Sequence, residues 1–233
     1  MLTLAIVGHG RMGRAVAQAA AARGHTIGAI IDIDDNAGGA GLTRERLEGV
    51  DVAVEFTAPA AAVGNIERLI EAGVPVVTGT TGWHGELPRI AKLVERKGGA
   101  LLYASNFSIG VHLFLKTAAE MARRFAGRAD YDGFIVEAHH ARKVDAPSGT
   151  ALALQHAATS ADAARAFPIT SIRAGAIPGT HTLTYDGPHD TIGLSHSARS
   201  REGFAEGAVA AAEWLPGRRG VFTFEDMLFG DNR

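Results

Sequence analysis

A short, largely apolar and β-branched run passes straight into a glycine turn at the start of this chain, and that junction limits the possible fold more than any other feature. Residues 2–7 read Leu-Thr-Leu-Ala-Ile-Val and are followed by Gly8-His9-Gly10-Arg11-Met12-Gly13. A continuous apolar run of this length is the pattern of a parallel strand buried on both faces. The alanine-rich stretch that follows predicts a helix over 14–23, closed by Gly24. A second apolar run, 26–31, predicts a strand that stops at Asp32. Strand, turn, helix and strand make a complete βαβ unit.

The same alternation continues. Residues 50–56, 74–78 and 100–104 read as strands, and helices are expected from Pro59 to about 72 and over 86–97. Regular alternation of this kind predicts an α/β fold with a doubly wound parallel sheet of the Rossmann type. After Asn106-Phe107 the rhythm changes: a helix over about 109–125, a strand over 134–138, a polar loop, a helix from Thr150, then strands near Ser171, Thr182 and Thr191. Strands without crossover helices point to a mixed or antiparallel sheet. The expected layout is a dinucleotide-binding domain over residues 1–107, rejoined by about 203–233, with an inserted α+β substrate and oligomerisation domain over 108–202. In the returning tail, 201–214 reads as helix and 221–224 as strand.

A dinucleotide site needs a tight turn, a point where backbone can touch a pyrophosphate, and close helix-to-sheet packing, and glycine meets each need. Gly8, Gly10 and Gly13 stand at those places, with His9, Arg11 and Met12 between them, and the next helix aims its unpaired amides at the phosphates. Asp32 lies about twenty residues beyond the third glycine, where an acid accepts hydrogen bonds from a ribose 2′-hydroxyl. NADH is therefore favoured over NADPH, although Arg11 leaves a 2′-phosphate open. Three further strand ends fall on the same edge of the sheet: Phe56-Thr57, Gly79-Thr80-Thr81-Gly82 and Ala104-Ser105-Asn106-Phe107. Ligands bind outside the carboxyl ends of such strands, so these segments are candidates for the nicotinamide half, with ordinary turn chemistry as the other reading.

Composition narrows the function. Net charge is −2 with basic residues scattered, which leaves no stripe for nucleic acid. The absence of cysteine excludes disulfides, thiolate metal sites and a cysteine nucleophile. No apolar run approaches the roughly 20 residues of a membrane helix, and a soluble, cytoplasmic protein is expected.

The most unusual stretch is Glu137-Ala138-His139-His140-Ala141-Arg142-Lys143-Val144-Asp145-Ala146-Pro147-Ser148-Gly149-Thr150. It gathers titratable groups between a strand and a helix, and Ser148-Gly149-Thr150 at the helix start offers amides to a carboxylate. Arg142 reads as a solvated charge and Asp145 as a loop-ordering residue. A metal at His139-His140 lacks a third ligand at helical or hairpin spacing, so none is expected. His112, His181, His189 and His196 stand in no motif.

This run resembles the signature of the dihydrodipicolinate reductase family, also called 4-hydroxy-tetrahydrodipicolinate reductase. Gly10-Arg11-Met12-Gly13, Phe56-Thr57, Thr78-Gly79-Thr80-Thr81-Gly82, Asn106-Phe107-Ser108, Asp186-Gly187 and Ser200-Arg201-Glu202-Gly203-Phe204 extend the likeness over most of the chain. Two departures concern the adenosine end: the glycine turn is one residue shorter than in many members, and the stretch from Asp32 to Asp51 is trimmed. The resemblance implies hydride transfer from NADH or NADPH to a cyclic unsaturated dicarboxylate in diaminopimelate and lysine biosynthesis, and a homotetramer. It implies that His139 donates the proton, with Lys143 the other acid candidate. His140, Lys143 and the Gly149-Thr150 turn would then hold the substrate's carboxylates. Two other functions fit the glycine turn without the polar loop: a different amino- or imino-acid dehydrogenase on the Rossmann fold, and a binding protein that senses NAD(H) without turnover.

Overall fold

In the computed structural model, which describes residues 1–230, strands and helices alternate through the first hundred residues as the apolar periodicity predicts. The order is β1 (Thr3–Val7), α1 (Arg11–Ala22), β2 (Thr26–Ile31), β3 (Val52–Glu55), α2 (Pro59–Glu71), β4 (Val76–Thr78), α3 (Leu87–Lys97) and β5 (Ala100–Tyr103). The chain then runs through α4 (Ile109–Phe125), β6 (Asp132–His139), α5 (Gly149–Ala161), β7 (Ile169–Arg173), β8 (Thr180–Asp186) and β9 (Thr191–Ser197). It ends with α6 (Glu202–Trp214), β10 (Gly220–Thr223) and α7 (Phe224–Phe229). Two compact units result, one from residues 1–108 with 201 onward and one from residues 109–200. The last three residues of the expected dinucleotide-binding domain, 231–233, lie outside the described residues.

The first unit is a six-stranded sheet in the order β10-β5-β4-β3-β1-β2, parallel at every pairing. Alternation along β1 feeds two separate cores. Leu4 and Ile6 pack with Val16, Ala19 and Ala20 of α1 and the alanines of α6, while Ala5 and Val7 pack with Ile66 and Leu69 of α2 and Ile90 of α3. Burial on both faces is why β1, β3, β4 and β5 read as apolar runs without polar alternation, whereas β2, at the sheet's edge, exposes alternate residues including Ile30. On the first face, small side chains let backbones approach closely. A β-carbon at Gly207 of α6 would sit 1.8 Å from the Phe107 carbonyl oxygen.

The second unit is a four-stranded sheet, β7-β6-β8-β9, with β6 and β7 parallel and the remaining pairs antiparallel. One face is covered by α4 and α5, where Ile135, Leu183 and Tyr185 meet Phe114, Ala118, Leu154 and Ala158. Along β6 the buried positions are Gly133, Ile135, Glu137 and His139. The face that buries Ile135 must therefore also bury an acid and an imidazole.

Several boundaries differ from expectation for local reasons. Helix α1 starts at Arg11, three residues early, because Gly10 takes the extended cap conformation. Strand β6 runs two residues further back, to Asp132, and one further on, to His139. Short 3-10 turns at Ile33–Asp35 and Ala37–Gly39 were not expected. The last strand stops at Thr223, whose hydroxyl accepts the Asp226 amide at 3.1 Å and starts α7 at Phe224. Among the described residues no helix is long and apolar enough to cross a membrane. The close approach at α6 yields a prediction: Gly207→Ala forces backbone apart, costs about 1–3 kcal/mol and lowers Tm by roughly 3–10 °C in thermal unfolding followed by circular dichroism.

Candidate active site

The candidate nucleotide end begins where β1 gives way to α1. Gly8 has φ +88°, and a β-carbon there would lie 2.2 Å from the Phe56 carbonyl oxygen; one at Gly13 would lie 1.9 Å from the carbonyl oxygen of Gly8. Both contacts are prohibitive, so glycine is required at each. At Gly10 nothing lies within 4 Å of such a carbon. That residue caps α1, and the amides of Arg11, Met12 and Gly13 have no carbonyl partner within the helix. A backbone surface with open space and unpaired N–H groups fits a pyrophosphate. The His9 amide donates to Asp32 at 3.1 Å. Hydrogen bonds from the His9 and Ile33 amides hold the Asp32 carboxyl below the usual carboxylate range, so it stays an acceptor. Arg46, which the sequence did not single out, reaches this region by pairing with Asp35 at 2.5 Å and donating to the Ile30 carbonyl at 2.6 Å.

The ends of β3, β4 and β5 are organised by a residue that sequence reasoning missed. Glu55 closes β3 fully buried. Its carboxylate accepts the Thr57 amide and the Thr80 hydroxyl, each at 3.0 Å, together with the hydroxyls of Thr57 and Thr78. Asn65 donates to Thr57 at 3.3 Å, Asn36 donates to Asn65 at 3.0 Å, and the Gly41 amide donates to Asn36 at 3.1 Å. A polar chain, buried at Glu55, Asn65, Thr78 and Thr80, thus runs from the segment after Asp32 to the loop at Thr80. Neighbouring groups set the remaining loops. Gly79 must lack a side chain because a β-carbon would fall 2.0 Å from the Phe56 ring, and the Trp83 indole donates to the Thr80 carbonyl at 2.8 Å. Phe56 and Phe107 meet edge to face at 5.8 Å. Ala104 and Phe107 are buried, whereas Thr81 and Ser105 are exposed.

In the second unit, His139 ends β6 with its Nδ1 against the Glu137 carboxylate. Glu137 also accepts Arg173 Nη2 at 2.6 Å and the Ser148 amide at 3.4 Å. Burial alone would push the Glu137 carboxyl up, but hydrogen bonds from Arg173, Ser171 and His139 outweigh it and hold it at about 2. His181 packs edge to face on His139 at 5.1 Å, and its Nε2 lies 3.0 Å from the Ser148 hydroxyl. Chiefly burial, then the nearby His139 charge, brings His181 down to about 4. Ser148 caps α5 by accepting the Ala151 amide at 3.2 Å, which leaves Gly149 and Thr150 in the first turn with unpaired amides.

The strand ends at His139, so His140 lies beyond it, half-buried, with its Nδ1 unpartnered. Lys143 pairs with Asp145 at 2.7 Å, and Arg173 donates to the Asp145 carbonyl at 2.6 Å. Arg142 is exposed.

Two family models match the chain: the N-terminus of dihydrodipicolinate reductase over residues 2–107 and its C-terminus over residues 110–228. The chain belongs to the dihydrodipicolinate reductase family. It is 36% identical to the 4-hydroxy-tetrahydrodipicolinate reductase of Christiangramia forsetii, covering 97% of this chain and 98% of that one. It is 38% identical to the corresponding protein of Thiobacillus denitrificans, covering 94% and 95%. The fold matches a dipicolinate-bound dihydrodipicolinate reductase from Paenisporosarcina sp. TG-14 with a TM-score of 0.83, at 22% identity over 98% of this chain and 100% of that one. As a dihydrodipicolinate reductase family member, the chain is an oxidoreductase that uses a pyridine nucleotide, NADH or NADPH.

Within this reductase, no third ligand for His139-His140 was expected at helical or hairpin spacing, and the companions of His139 come instead from strand pairing. Glu137, His139 and His181 bring ligand-type atoms within 4.8 Å of one another, from two strands that sequence spacing does not relate. The Arg173 cation on Glu137 opposes a second positive charge there, and the existing hydrogen bonds account for the arrangement. His181, which stands in no sequence motif, is a full member of the cluster; its signal was only a histidine on an inward position of an alternating strand.

The two shifted groups predict how stability responds to acid. His181 lies at about 4 against an ordinary 6.5, so the unfolded chain binds a proton that the folded chain refuses as pH falls from 6.5 towards 4. Glu137 repeats this from 4.5 towards 2. Stability is thus fully present above pH 6.5 and declines below it, by at most about 1.4 kcal/mol per pH unit for each proton. Urea unfolding between pH 7 and 4 should show this decline, and His181→Gln should make it shallower.

Proposed function

We propose that this chain reduces the dehydrated form of 4-hydroxy-tetrahydrodipicolinate to tetrahydrodipicolinate with NADH or NADPH, in diaminopimelate and lysine biosynthesis. The observation that carries the reading is the buried Glu137–His139 pair beside the amide-rich start of α5. That reduction needs a hydride on one carbon, a proton on its neighbour and donors for two carboxylates. In this reading the first unit binds the dinucleotide and the second binds substrate. Gly8, His9, Gly10, Arg11, Met12 and Gly13 cradle the pyrophosphate and Asp32 takes the ribose. Phe56, Gly79, Thr80, Thr81 and the segment Ala104, Ser105, Asn106 and Phe107 border the nicotinamide half. When bound, the reduced nucleotide supplies the hydride.

His139 supplies the proton. His140, Lys143, Gly149 and Thr150 hold the carboxylates; Ser148, expected among them, is buried with its amide on Glu137 and its hydroxyl on the Ala151 amide and His181, so it sets the helix start that offers the amides. The Lys143–Asp145 pair has an exposed acid, and exposed pairs of this kind are worth about 0–1 kcal/mol, so the amine can turn to an anion at little cost. NADH is preferred, because a 2′-phosphate would face the ionised Asp32. The protein works in the cytoplasm as a homotetramer, a state that light scattering tests directly.

The deciding assay follows nicotinamide absorbance with enzymatically generated substrate. Its loss supports this reading. Loss with other imines alone would make the protein a different dehydrogenase, and no loss would make it a nucleotide sensor. In the same assay His139→Gln should lower kcat by about 10²–10⁴-fold while leaving the KM for NADH nearly unchanged, since no phosphate contact is removed. Asp32→Ala should weaken NADH by roughly tenfold, the worth of one charge-assisted hydrogen bond, and weaken NADPH less; an unchanged ratio between the two would reject the ribose assignment.

A further inference from the structure

Two residues before His139, on the same face of β6, Glu137 offers a fully buried carboxylate to which the Arg173 guanidinium and the Ser148 amide donate. One oxygen accepts Arg173 Nη2 at 2.6 Å and the Ser148 amide at 3.4 Å; the other meets His139 Nδ1. An ionised carboxylate can only accept, so the hydrogen in the last contact belongs to His139. We propose that Glu137, clamped by Arg173, is the positioning residue that keeps a hydrogen on His139 Nδ1 and so presents Nε2 as the nitrogen that delivers the proton. This rests on the reading of His139 as proton donor.

Three further observations support the assignment. Arg173 is the register partner of His139 on β7, so its guanidinium reaches Glu137 from the neighbouring strand, and its second contact, 2.6 Å to the Asp145 carbonyl, ties the Lys143 loop to the same carboxylate. His181 makes no hydrogen bond to Glu137, because its Nε2 is turned to the Ser148 hydroxyl at 3.0 Å and its Nδ1 has no hydrogen-bond partner among the described residues. Beside His139 Nε2 the chain places Gly179, where a β-carbon would stand 2.9 Å from that nitrogen. One ring nitrogen is therefore engaged and the other is bordered by a residue without a side chain. In the step itself the proton leaves Nε2 for the substrate carbon next to the one that receives hydride. The Nδ1 hydrogen stays against Glu137, and the ring ends neutral.

Glutamine makes the sharpest test, because it has one acceptor atom where glutamate has two. With its oxygen kept by Arg173 and the Ser148 amide, its NH₂ would face Nδ1 and drive the ring to the Nε2–H tautomer. The experiment is ¹⁵N nuclear magnetic resonance of histidine-labelled protein, with the His139 signals assigned by their loss in His139→Gln, alongside steady-state kinetics. The wild-type neutral ring should be the Nδ1–H form. Glu137→Gln should convert it to the Nε2–H form and lower kcat at least tenfold with the KM for the nucleotide unchanged, and Glu137→Asp, which keeps the charge, should recover part of the loss. A wild-type ring in the Nε2–H form overturns the proposal even if the variants do not fold. Wild-type turnover in Glu137→Gln, with His139→Gln impaired, overturns the role of Glu137 alone. Wild-type turnover in His139→Gln removes the proton-donor reading and this proposal with it.

Discussion

Backbone passes within van der Waals contact of backbone at the carboxyl edge of the parallel sheet, and the glycine turn exists because of that contact. Side-chain carbons at Gly8 and Gly13 would overlap carbonyl oxygens of Phe56 and Gly8 itself, and one at Gly79 would overlap the Phe56 ring. Removing those carbons lets α1 start directly above β1, so its unpaired amides emerge at the strand ends. The same economy of side chain recurs at Gly207, where α6 closes on the Phe107 carbonyl. What the protein can bind at this edge follows from packing that permits nothing larger than hydrogen.

Two buried carboxylates then organise the loops, by different chemistry. Among the described residues Glu55 is satisfied by hydroxyls and an amide with no basic side chain among its hydrogen-bond partners, whereas Glu137 faces a guanidinium, an imidazole and an amide. A buried ion left without donors costs several kcal/mol, so each carboxylate selects the conformation of the loops that supply them. Around Glu55 this joins the loop at Thr80 to the segment after Asp32 through Asn65 and Asn36. Around Glu137 it joins β6, β7 and the start of α5.

Legibility in the sequence divided along a physical line. The doubly wound sheet could be read because burial on both faces forces continuous apolar runs, and the mixed sheet because β7, β8 and β9 follow one another without crossover helices. Glu55 could not be read: one acid at the end of Val52–Glu55 looks like the close of a strand, and two of its donors, Thr78 and Thr80, come from a different strand and loop. His139 stood out within its motif, but its surroundings did not. Arg173 and His181 lie 34 and 42 residues beyond it and reach it only through strand pairing. The turns after Asp32 and the helix α7 were missed because short capped elements carry almost no periodicity.

The sequence by itself determined the fold class and the backbone demands of the glycine turn, since those follow from residue type and local period, and its motifs carried the resemblance to the family. Tertiary structure decided which charges neutralise one another and which nitrogen of a histidine is held. Such pairings depend on strand register, and register is set by how the whole apolar face of a sheet fits its covering helices.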